Sequence, residues 1–185
     1  LVGGLGTYAR DVTREMKKLG HRISVFTLNP KKEGKNELPT HESIRGIKVH
    51  RPAIFDCTEV LKIISEELKR WGENARFFGD MFAYNFLSAS KLVNQLVWKE
   101  NYDIASIHDW LSAISGMVVK ENSSLPVVFH VHSTEELRAN LSPMIKKLEH
   151  KMAEKADRII TVSHAMKQHL IEIGYPAWKI HVVWN

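Results

Sequence analysis

The sequence contains one cysteine, Cys57, so no internal disulfide can staple it, and this usage suits a reducing compartment. No apolar run approaches the roughly 18 residues that cross a bilayer as a helix, which sets aside a membrane-spanning reading. Lys and Arg number 26 against 21 Asp and Glu, a net charge of +5, but they are scattered, with no dense basic run and no aromatics interleaved. That distribution argues against nucleic acid as a partner and for a solvated surface with a modest bias toward anionic ligands. There is no P-loop and no G-x-G-x-x-G fingerprint, no internal repeat and no low-complexity tract. Leu28 stands where an acidic residue would close a following strand, which disfavours a nicotinamide dehydrogenase. No signal-peptide pattern stands in the residues present, and a cytoplasmic location is expected.

What is present fits a soluble globular chain. Its 185 residues are 44% hydrophobic and 25% charged, enough to bury a sizeable core. The chain opens on Leu1-Val2-Gly3-Gly4-Leu5-Gly6, three glycines in six residues, with an amphipathic helix directly after. Two readings are open. The run is a tight turn feeding a helix, or a loop that lets a phosphate approach the N–H groups and positive dipole end of that helix. The helix is expected over 5–19, with Leu5, Tyr8, Ala9, Val12, Met16 and Leu19 on one buried face and Gly20 as its stop. Ile23, Val25 and Phe26 read as a short strand, 31–46 as a polar loop and 47–50 as a second strand. Helices are expected over 59–71 and 75–99, the second with Phe78, Phe82 and Phe86 as a core stripe.

An alternation of short apolar strands and helices follows: strands at 104–107, 127–131, 158–162 and 180–183, helices at 111–121, 142–156 and 164–173. This pattern predicts an α/β fold, a Rossmann-like three-layer domain with a mainly parallel sheet. A glycine run of this kind should follow a strand, so the first strand is expected before Leu1. Ligands bind such sheets at the carboxyl ends of the strands. His108-Asp109-Trp110 end one strand there, and His130 and His132 end the next on a shared face. Each has a plainer reading. Asp109 suits the N-cap of the next helix, His130 a structural histidine, and Ser163 a helix cap. His21 reads as structural and Glu135-Glu136 as a solvated turn. His108, His130 and His132 could also be read as metal ligands, but nothing in the sequence supplies supporting groups, and no metal is expected.

The ordered set Gly3-Gly4-Leu5-Gly6, Leu19-Gly20-His21, His108-Asp109-Trp110, Phe129-His130-Val131-His132-Ser133-Thr134-Glu135 and Thr161-Val162-Ser163 resembles the N-terminal domain of retaining GT-B glycosyltransferases. This is the group that holds glycogen and starch synthases, and the likeness covers nearly the whole chain. The resemblance implies two Rossmann-like domains facing across a cleft, with 1–185 as the acceptor-side domain. The C-terminal domain that holds most of the nucleotide-sugar donor is then a partner outside this sequence, and 1–185 alone should not transfer sugar. It implies further that Gly3 and Gly4 approach the diphosphate or sugar, that His132 contacts the transferred glucose, and that Asp109 lines the sugar site. His108 joins the substrate-binding set, and Trp110 offers a face to the glucan acceptor. No cofactor is implied, the nucleotide-sugar being a substrate.

The residue types suit that chemistry. Fixed N–H dipoles stabilise the charge gained by a leaving diphosphate. A neutral histidine can bond a sugar hydroxyl, and an aromatic ring matches the apolar face of a pyranose. The implied activity is retaining transfer of glucose from ADP- or UDP-glucose to a growing α-1,4-glucan. Two departures widen it: Leu1 and Thr7 occupy places where bacterial glycogen synthases usually carry lysine and aspartate. Trehalose-, sucrose- or mannosyl-transferring relatives, and a non-catalytic carbohydrate- or nucleotide-binding module, are the alternatives.

Overall fold

The computed structural model describes residues 4–29, 38–138 and 141–184. The chain divides into two compact units, Leu1–Ile54 and Phe55–Asn185.

In the first unit, helix α1 (Gly4–Lys18) precedes strands β1 (Ser24–Phe26), β2 (His41–Ile44) and β3 (Ile47–His50). The sheet order is β1-β3-β2, with β1 parallel and β2 antiparallel to β3. The helix is amphipathic as expected, but Leu5, Tyr8, Ala9 and Val12 are only half-buried, Met16 is exposed, and Leu19 falls beyond the helix end and is exposed. Strand β2 falls in a segment expected to be loop. Its residues, His-Glu-Ser-Ile, carry no apolar alternation, and the structure forms it through the hairpin. Ile44 pairs with Ile47 across Arg45 and Gly46, both at positive φ (52° and 77°), as a type I′ turn requires.

The second unit begins with α2 (Thr58–Ile64) and α3 (Glu66–Arg70). The single helix expected over 59–71 breaks at Ser65, which is extended and whose hydroxyl accepts the Leu68 N–H to cap α3. Helix α4 (Ala75–Lys91) runs on into a π-turn, Leu92–Leu96. Its core face is turned from the expected one: Phe78 is buried, but Phe86 is exposed and Asn85 takes the inner place. The Asn85 amide donates to the Met81 and Leu111 carbonyls and accepts the Ser115 N–H at 2.8 Å, so a buried polar side chain is fully used.

The αβ alternation follows as predicted: β4 (Ala105–His108), α5 (Ala113–Asn122), β5 (Val127–Val131), α6 (Pro143–Lys155), β6 (Arg158–Thr161), α7 (His164–Glu172) and β7 (Ile180–Val182). The four strands form one parallel sheet in the order β4-β5-β6-β7. Strand β5 is interior, and Val127, Phe129 and Val131 point into a core that also holds Ile107, Met152 and Ile159. Serines cap two helices, Ser163 as the sequence suggests, by accepting the Met166 N–H, and Ser142 by accepting the Ile145 N–H.

Gly116 marks the closest approach of α5 to its neighbours. A Cβ there would sit 2.6 Å from Met152 Sδ and 2.8 Å from Ile107 Cγ1. Gly116→Ala is therefore expected to destabilise the protein by about 1–3 kcal/mol, since both neighbours are themselves buried. Urea unfolding checks this. Ile107→Ala, which removes the γ carbons that the new methyl meets, should cost less in this background than in the wild type, as contact pairs are not additive.

Candidate functional site

Strands β4 and β5 run side by side, with His108 opposite His130 in register. The rings of His108 and His130 stack with centroids 4.5 Å apart, and His132 lies 5.8 Å from His108 in a near-parallel plane. All three imidazoles stand half-buried at the carboxyl end of the sheet, where the topology places ligands. Burial, then repulsion from the neighbouring imidazoles, pushes His108 down to about 3. Burial and His132 push His130 down to about 4. Burial also lowers His132, against the opposing pull of the Asp109 carboxylate. Neutral imidazoles result, each with one N–H donor and one lone pair, suited to hydroxyl groups.

This arrangement predicts acid lability. The unfolded chain binds protons at His108 and His130 that the folded chain refuses, so the stability these two groups contribute is lost as pH falls from about 6.5 toward 4. Each histidine contributes a slope of roughly 1.4 kcal/mol per pH unit in that window. Urea unfolding across it should show a shallower slope, by about one proton, for His130→Gln.

Asp109 is 8% exposed and sits at φ 50°, ψ −174°, a backbone region that L-residues rarely occupy. The bend turns its carboxylate across to the β5 exit. There Oδ1 accepts the His132 N–H at 2.8 Å and the Ser133 N–H at 3.5 Å, while the Asp109 N–H donates to the His130 carbonyl. The cap reading fails: the side chain makes no bond to the 3₁₀ turn Trp110–Ser112, and α5 starts only at Ala113. Burial raises the Asp109 carboxyl above its ordinary 3.8, opposed by these N–H bonds and by His132. Ser112 Oγ holds the β4 end from the other side, accepting the His108 N–H and donating to the His108 carbonyl.

Behind the β5 exit lies a part of the site that sequence reasoning missed. Glu135 is not in a solvated turn; it is 2% exposed. Its N–H donates to both oxygens of Glu149 on α6, at 3.0 and 3.2 Å. Its own carboxylate accepts the Ser142 N–H at 2.9 Å and pairs with Arg138 at 3.2 Å. Glu136 is half-buried and pairs with Lys146. Burial, together with the neighbouring Glu135 and Asp109 charges, pushes Glu149 up to about 7. A signal existed: Glu149 stands at helical spacing with the buried Ile145, Met152 and Ala153, an acid on an apolar face.

The remaining candidates divide. Gly3 lies outside the described residues. Gly4 begins α1, is exposed, and has nothing within 4 Å of where a Cβ would stand. Trp110 is 7% exposed, its ring stacked on Phe78 at 6.4 Å and edge-on to Phe77 at 6.1 Å. As packed, the indole presents no open face to a glucan. Among the described residues, no group of three His, Cys, Asp or Glu stands close enough to hold a metal ion. None of their helices is long and apolar enough to cross a membrane.

The parallel sheet is the one the strand–helix alternation predicts, and the comparisons give its family. The sequence model of glycosyltransferase family 4 matches residues 2–185. The chain belongs to glycosyltransferase family 4. It is 26% identical over 191 residues to an uncharacterized glycosyltransferase of Methanocaldococcus jannaschii, covering 100% of this chain and 43% of that protein. It is 23% identical over 202 residues to the glycogen synthase of Mycobacterium tuberculosis, covering 100% of this chain and 45% of that one. The family 4 chain thus spans less than half the length of these relatives. In structure it resembles sucrose-phosphate synthase from Thermosynechococcus elongatus, with a TM-score of 0.67 at 17% identity, over 99% of this chain and 43% of that one. The α/β architecture of the family 4 chain is consistent with a Rossmann-like GT-B domain.

Proposed function

We propose that this chain is the acceptor-side domain of a retaining hexosyltransferase that moves glucose from ADP- or UDP-glucose to an α-1,4-glucan. The observation that carries the reading is the stacked neutral histidine set at the carboxyl ends of β4 and β5, in a chain of glycosyltransferase family 4. In this reading His132 bonds a hydroxyl of the transferred glucose, and His108 takes a second polar contact. A neutral imidazole does this without setting a fixed cation against the positive charge that develops on the sugar ring. Asp109 keeps the His132 backbone in place and lines the sugar site. Gly3 and Gly4 admit the diphosphate or sugar to the start of α1, where unpaired N–H groups offset its charge. Trp110 acts through packing with Phe77 and Phe78, holding the turn that follows Asp109. The donor's nucleotide is held mostly by a C-terminal domain of the whole protein. The nucleotide-sugar enters as a substrate, and the reading assigns no cofactor. The glycogen synthase similarity favours a glucan acceptor. The structural likeness to sucrose-phosphate synthase leaves a transferase with a small sugar acceptor as the second reading.

The test is a screen of the full-length protein against nucleotide-sugars, with maltooligosaccharides and sugar phosphates as acceptors. Chain extension from ADP- or UDP-glucose supports the first reading. Transfer only to a sugar phosphate selects the second, and binding without turnover would leave a carbohydrate- or nucleotide-binding module.

A further inference from the structure

The turn that carries His132 is held from two sides by buried carboxylates. From the β4 exit, Asp109 accepts the His132 and Ser133 N–H groups. From α6, Glu149 accepts the Glu135 N–H with both oxygens, at 3.0 and 3.2 Å. Glu135 in turn accepts the Ser142 N–H, and Ser142 caps α6, so the turn and the helix are closed into one hydrogen-bonded loop. Glu149 is 3% exposed and Glu135 2%, which makes both bonds costly to leave unmade. Burial of a carboxylate this deeply is itself unfavourable, and it stands near the charges of Asp109 and Glu135. A neutral residue of similar size would fill the space at less cost, so packing alone gives no reason for an acid here. What the carboxylate supplies is a two-oxygen acceptor fixed on a helix and aimed at a backbone N–H three residues past His132.

We propose that Glu149 is a positioning residue for sugar transfer, fixing the backbone of residues 132–135 from α6 so that His132 meets the transferred sugar in a set place. The proposal rests on the role given above to His132. In this role Glu149 acts through the main chain, by accepting the Glu135 N–H. Misplacing a sugar-binding group by an ångström costs turnover more than ground-state binding. Loss of Glu149 should therefore lower kcat and leave the donor KM nearly unchanged.

The test uses the full-length protein, with Glu149→Ala, Glu149→Gln and Glu149→Asp compared by amide hydrogen exchange and by steady-state kinetics. In Glu149→Ala, exchange at Ser133–Glu135 should speed up by roughly 10-fold or more while Phe129 and Val131 in β5 stay protected, and kcat should fall by roughly 10-fold or more. Glu149→Gln keeps one of the two acceptor oxygens and should restore part of both. If Glu149→Ala does not fold, Glu149→Asp replaces it: the charge stays, the carboxylate retracts by one methylene, and the same two losses are expected. Unchanged exchange at 133–135 would overturn the proposal, as would faster exchange with kcat intact. A wild-type protein without transferase activity would instead overturn the functional reading, and the exchange arm alone would then decide whether Glu149 anchors the turn.

Discussion

Replacing His132 with alanine in the full-length enzyme is expected to lower kcat and kcat/KM together, by roughly 10²-fold or more, the loss that follows removal of one contact made chiefly in the transition state. His132 lies just past the last residue of β5, half-buried, with its ring in the stacked set and its N–H held by Asp109. The backbone bond does not depend on the side chain, so the turn should keep its shape in the variant. The side chain is not enclosed on all sides, so the melting temperature should move little. Steady-state kinetics beside a thermal melt separates the two effects. A variant that melts much earlier yet keeps its kcat while folded would make His132 a structural residue.

Phe129→Ala, three residues earlier, is expected to do the opposite. Phe129 is 1% exposed and points to the other face of β5, with Ile107 and Ile159 as its register partners on either side. Truncation removes most of a buried ring from the interior strand of the sheet, where rigid neighbours cannot collapse into the gap. The expected loss is about 3–5 kcal/mol. Set against the roughly 5–15 kcal/mol that holds a domain together, this is enough to unfold much of the population at moderate temperature. Urea unfolding gives the magnitude. The molecules that remain folded should keep kcat within a few-fold, because the histidine face of the strand is untouched. Taken together, the two variants separate the histidine side of β5 from its packing side.

How far these features were legible depends on their physical origin. Strands β4 to β7 are short apolar runs bounded by turn residues, and buried parallel strands have no polar face to blur the pattern. The capping serine at 163 was legible because a cap depends only on neighbouring residues. Strand β2 was not, because a polar strand at a sheet edge has no apolar periodicity and is set by pairing with β3. Nor was the roll of α4, where Asn85 displaces Phe86 from the interior by satisfying three backbone groups. At the site, the topology rule put the histidines at the strand ends. It could not show that Asp109 reaches 23 residues along the chain to His132, because that bond depends on a positive φ no local signal announces. Trp110 likewise read as a platform from the family resemblance, while its burial depends on α4. Glu149 was within reach of the sequence, as an acid among apolar neighbours on one helix face.

The most direct test is the anomeric proton of the product. The full-length protein, given nucleotide-glucose and a maltooligosaccharide primer, should yield new α-1,4 linkages by proton NMR, with the donor's α configuration retained. A β-linked product, or release of free glucose with no extension of the primer, would contradict the account.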